Sequence, residues 1–62
     1  MLADELAELP PDYRQVLLLR HLEGLPFGEV AEHMQRSPGA VRMLWLRAVD
    51  KLRQQLTDKG LI

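Results

Sequence analysis

Apolar residues recur along this chain at helical spacing, and no stretch alternates apolar and polar with period two for long enough to make a strand. Leu2, Leu6 and Leu9 stand at i, i+4 and i+7, one face of a short first helix. Pro10-Pro11 ends it, because proline removes a donor and restricts the residue before it. A second helix starts near Pro11, with Asp12 in its first turn complementing the dipole. It runs to about Glu23. Val16, Leu17, Leu18, Leu19 and Leu22 cover a wide arc of it, and Gly24 suits its C-cap. Pro26 opens a short third helix with Phe27, Val30, Ala31 and Met34 at i, i+3, i+4 and i+7. Gln35-Arg36 make a tight connection. Ser37 is a good N-cap for a fourth helix that begins at Pro38 and runs to about Thr57, with Gly60 as a stop just beyond. The prediction is an all-α fold of four helices. Its core is built from Leu6, Val16, Leu19, Leu22, Val30, Ala31, Val41, Trp45, Ala48 and Leu52.

The fourth helix has two distinct sides. At about 100° per residue, Val41, Trp45, Ala48, Val49, Leu52 and Leu56 fall in one stripe roughly 100° wide, the core face. Arg42, Met43, Leu46, Arg47 and Asp50 lie on the other side. Two large apolar residues among arginines near a helix start point to a contact surface. A short helix, a tight turn and a capped longer helix are also the layout of a helix-turn-helix, whose second helix presents its N-terminal residues to the major groove. The small residues Gly39 and Ala40 let the backbone approach a phosphate. Free N–H groups at the helix start can bind it, and Arg42 and Arg47 are long enough to reach phosphate or a guanine edge.

Composition narrows the function classes. With 62 residues the chain is one domain at most, and 47% hydrophobic residues mark it as packed rather than disordered. So small a chain has little room for a substrate pocket, so neither an enzyme nor a small-molecule substrate is expected. There is no Cys, which excludes disulfides and thiolate metal sites and fits a reducing compartment. The longest apolar runs, Val16 to Leu19 and Met43 to Leu46, are far short of the roughly 20 residues needed to cross a bilayer, so no membrane partner is expected. The acidic N-terminus lacks the basic region of a signal peptide. Residues 1–36 carry seven acids and three bases, net −4, and residues 37–62 carry five bases and two acids, net +3. Such a chain offers one face to an anion and repels it elsewhere. His21 and His33 lie on different predicted helices without ligand spacing, so no metal and no cofactor is expected. Asp4, Glu5 and Glu8 are more simply a solvated face than catalytic carboxylates. The place of Trp45 in the core stripe favours packing over a base-stacking role.

The residues Leu9-Pro10, Arg14, Val16, Leu19-Arg20, Leu22-Glu23-Gly24-Leu25, Glu29-Val30-Ala31-Glu32, Ser37-x-Gly39-Ala40-Val41-Arg42, Arg47-Ala48 and Leu52 follow one another without gaps over residues 9–56. Together they resemble region 4 of sigma-70-type transcription factors, in particular the extracytoplasmic-function (ECF) group. The resemblance implies one region 4-like domain over residues 1–62, the excised C-terminal part of a longer bacterial sigma factor, cytoplasmic and nucleoid-associated. Its helix 37–57 would read the −35 element of promoter DNA, with Arg36, Ser37, Gly39, Ala40, Arg42, Met43, Leu46 and Arg47 at the contact. It would also dock on the flap of the RNA polymerase beta subunit, and in many members an anti-sigma factor masks it. The wide arc of the second helix nominates Leu17, Leu18 and Leu22 for an apolar partner helix. The chain departs from the family at Met43-Leu44-Trp45-Leu46, where Ser-Arg-Leu-His or similar is usual. It also departs at Pro26, in place of a Ser or Thr cap, and at Gln35, where a turn glycine is common. Loss of an arginine lowers phosphate affinity, while apolar groups can touch thymine methyls. Two other readings stand beside this one. The first is a protein-interaction module with weak DNA contact. The second is a response-regulator output domain, against which Leu9-Pro10 and Arg47-Ala48 argue.

Overall fold

In a computed structural model the described residues run from Leu2 to Ile62, with side chains described from Asp4; the side chain of Leu2 lies outside that range. Helix α1 spans Leu2–Ala7, α2 Pro11–Leu17, α3 Phe27–Met34 and α4 Pro38–Asp58, with no strand among the described residues. Leu9 falls just past α1 rather than on it. It is nonetheless buried, in a turn that its N–H closes onto the Leu6 carbonyl at 3.1 Å.

Helix α2 does not continue unchanged to Glu23. From Leu18 to Leu22 it widens into a π-helical turn, in which the Glu23 N–H reaches the Leu18 carbonyl five residues back at 3.1 Å. Gly24, at φ +71°, then reverses the chain. A wider turn advances each residue by less than the α-helical angle, so Leu22 is carried away from the side that Val16 buries. Leu22 is therefore 79% exposed and not part of the core expected of it.

The core is Leu9, Val16, Leu17, Leu19, Val30, Ala31, Val41, Leu44 and Ala48, with Leu6, Tyr13, Trp45, Val49 and Leu52 half-buried against it. Leu9, Leu17 and Leu44 join the core beyond the expected list, while Leu6, Trp45 and Leu52, expected in it, are only half-buried. Leu44 is a core residue at 9% exposure. Because α4 packs on both α2 and α3, its buried face is wider than a single stripe, and Leu44 lies about 40° beyond the stripe edge.

One feature binds the two ends of the fold. The Lys59 ammonium donates to Glu5 at 3.1 Å and to Glu8, and Gln55 Nε2 donates to the Glu5 backbone carbonyl at 3.1 Å. Glu5, expected on a solvated face, is 4% exposed, and its second carboxylate oxygen has no hydrogen-bond partner among the described residues. The hydrogen bond from Lys59 holds the Glu8 carboxyl below its usual range, and the bonds to Glu8 and then Glu5 raise the Lys59 ammonium. The Glu8 contribution is present above its unfolded value of 4.5 and is lost as pH falls through its depressed folded value. That of Lys59 is full below 10.5 and lost as pH rises through its raised value. The clasp thus holds across the neutral range.

The turn before α4 is set by local chemistry. Gln35 adopts a left-handed conformation, φ 56°, and the chain closes on it as a Schellman motif: Arg36 N–H to the Ala31 carbonyl at 3.0 Å, Gln35 N–H to Glu32 at 3.3 Å. A side chain there carries a strain of roughly 1 kcal/mol that glycine avoids. Gln35→Gly should accordingly stabilise the domain by about 0.5–1 kcal/mol, read as a rise in the urea midpoint without a change of slope. Destabilisation would mean that the Gln35 side chain holds the turn.

Candidate nucleic-acid interface

Ser37 caps α4: its Oγ accepts the Ala40 N–H at 3.1 Å, and Pro38 occupies the first helical position. Behind this start, Val41, Leu44 and Ala48 turn inward. Arg36, Ser37, Gly39, Ala40, Arg42, Met43, Leu46 and Arg47 are all exposed, and Met43 and Leu46 are half open to solvent at 51% and 49%. A Cβ built on Gly39 would meet nothing within 4 Å, so the fold itself does not require a residue so small there.

The cations of this surface differ in freedom. Arg36 Nη2 pairs with Asp12 Oδ2 at 2.5 Å, which ties the turn before α4 to the first turn of α2 and spends part of its charge inside the domain. The guanidinium of Arg42 lies over the ring of Phe27, 5.3 Å from its centroid, and that of Arg20 lies 5.0 Å from the same ring. Arg47 has no ion-pair partner among the described residues. The Ala40 N–H is taken by Ser37, so it is not one of the free donors expected at the helix start.

A second surface lies on the opposite side of α4. Leu6, Leu17, Leu18, His21, Leu22, Val49 and Leu52 line an apolar groove of about 460 Å³. Of the three leucines nominated from the sequence, Leu17 forms the buried floor, Leu18 is half-buried and Leu22 stands at the rim. The π-turn puts His21 at the same rim, where its Nε2 accepts the Trp45 indole N–H at 2.8 Å. The two rings stack at 5.8 Å, and Phe27 meets Trp45 edge-on at 5.6 Å.

The family model described as "Sigma-70, region 4" matches residues 1–52. The chain belongs to the sigma-70 region 4 family. Among curated proteins, this region 4 domain is 40% identical over 57 residues to RNA polymerase sigma factor CarQ of Myxococcus xanthus, covering 92% of the chain and 33% of that protein. It is 44% identical over 48 residues to ECF RNA polymerase sigma factor ShbA of Streptomyces griseus, covering 77% of the chain and 25% of that protein. The chain thus spans about a third or less of these relatives. No solved structure gives a significant match. Membership sets aside the response-regulator reading.

Within this region 4 domain, three contacts of the candidate face were not anticipated from sequence. The Arg36–Asp12 pair and the Trp45–His21 bond each join residues 24 apart, a separation at which no local pattern signals contact. The third, the pair of guanidiniums on Phe27, had only a weak signal, an aromatic residue at the first position of a helix.

Proposed function

We propose that this region 4 domain reads the −35 element of a bacterial promoter through the N-terminal half of α4, as the C-terminal unit of a longer ECF sigma factor. The observation that carries this reading is the sidedness of α4. Arg42, Met43, Leu46 and Arg47, with Ser37, Gly39 and Ala40 at the cap, form one open face in front of a helix whose other side is core. Arg42 and Arg47 supply charge, and Met43 and Leu46 suit thymine methyls. Because the chain carries a net charge of −1, isolated binding is weak, and useful affinity comes from tethering to polymerase and to the rest of the factor.

Docking is assigned to the groove. Its apolar lining fits an amphipathic helix, and we assign it to the beta-subunit flap of RNA polymerase, with an anti-sigma factor as its competitor. The two roles sit on different sides of α4, so they are separable by mutation.

The test is a titration of promoter DNA with the full-length factor in its polymerase complex. Arg47→Ala should weaken binding to all sequences and flatten the dependence of log K on log salt by about one unit. Arg42→Ala should cost about 1–3 kcal/mol at one base pair where it meets a guanine. Parent-like affinity and base preference in both variants would remove the DNA reading of this face and leave the groove as the domain's working surface.

A further inference from the structure

We infer that Phe27 is a positioning residue for Arg42, holding its guanidinium at the edge of the DNA-facing surface; this rests on the DNA reading above. Arg42 is the first arginine within α4 and is exposed, and a free arginine side chain there would sample many rotamers. Instead its guanidinium lies 5.3 Å from the Phe27 ring centroid, inside the range of a cation–π contact. The ring is itself fixed. Phe27 is half-buried at the first position of α3 and packs edge-on against Trp45 at 5.6 Å. Trp45 is locked in turn by its hydrogen bond to His21 at 2.8 Å. A rigid aromatic support thus stands under a flexible cation. Arg20 lies over the same ring at 5.0 Å, and its Nη1 donates to the Leu25 carbonyl at 3.5 Å, so two positive charges share one ring. Their mutual repulsion is relieved when an anion approaches, which favours a phosphate or a base acceptor beside Arg42 over an empty site. Ordering the side chain beforehand reduces the entropy lost on binding.

The experiment is a double-mutant cycle on this chain, with Phe27→Leu, Arg42→Gln and the pair. Binding is titrated with the variants placed in the full-length factor in its polymerase complex, against a duplex that the parent complex enriches from a random-sequence pool. Phe27→Leu should weaken binding about 2–5-fold, the range of an exposed cation–π contact. In the Arg42→Gln background the same change should have almost no effect, and Phe27→Trp, which keeps an aromatic face, should retain parent affinity. Arg42 side-chain proton resonances, shifted upfield by the ring in the parent, should move downfield in Phe27→Leu and stay put in Phe27→Trp. Equal losses in both backgrounds would show that Phe27 acts only through the fold and would overturn the inference alone. Unchanged affinity in Arg42→Gln would overturn it together with the DNA reading of Arg42. The two failures are therefore distinct. Should Phe27→Leu not fold, Phe27→Met in the same cycle gives the same contrast, since it keeps an apolar side chain without the ring.

Discussion

Leu44→Ala should cost about 2–5 kcal/mol, most of the stability of a domain this small. The argument is positional. Leu44 is 9% exposed in the core cluster of a helix covered by α2 on one side and α3 on the other, so truncation leaves a cavity that neither neighbour can fill freely. Its flanking residue Met43 and its near neighbour Leu46 are about half exposed, and their truncation should cost roughly 0.5 kcal/mol or less. Urea denaturation of the three variants checks the contrast. A Leu44→Ala midpoint equal to that of the parent would mean that the helical phase of α4 is other than described.

Leu22→Glu should remove polymerase docking while leaving the fold intact. At 79% exposure the leucine contributes little burial, so stability should change by roughly 0.5 kcal/mol at most. At the rim of an apolar groove, however, a carboxylate must be desolvated against any apolar helix that enters. A loss of about 2 kcal/mol or more, some thirtyfold in affinity, is expected. Pull-down titration with a beta-flap fragment, alongside a thermal melt, separates the two effects. Parent-like docking would move the interface off this groove.

Which features were legible in the sequence follows from the range of the physics behind them. The start of α4 was readable because a cap is a four-residue matter: Ser37, Pro38 and the Ala40 N–H are all local. The inward faces of α3 and of most of α4 were readable from spacing alone, as the burial of Val30, Ala31, Val41 and Ala48 bears out. Leu44 was not, because a single stripe assumes one neighbour and α4 has two. Leu22 was misjudged because nothing in the order of apolar residues announces a π-turn, which alters the phase of all that follows it. Glu5 looked like a solvated acid because its partners, Gln55 and Lys59, are 50 and 54 residues away. At the candidate face, the exposed arginines were legible as positions but not as postures. The pairing of Arg36 with Asp12 and the seating of Arg42 on Phe27 belong to tertiary structure.

The clasp at Lys59 bears on how the domain breathes. A helix of six residues has no independent stability, so α1 persists only through its contacts with the rest of the fold. Those contacts close almost the whole chain into a loop and include one exposed ion pair, Lys59–Glu8, that salt weakens. Segment α1 is thus the cheapest part of the molecule to open, a sub-global unfolding unit that leaves α3, the turn and α4 in register. When it lifts, Leu6 goes with it and one wall of the apolar groove is gone, so the groove has no single width. High ionic strength shifts the population toward the open form, and a partner helix filling the groove draws on that same equilibrium.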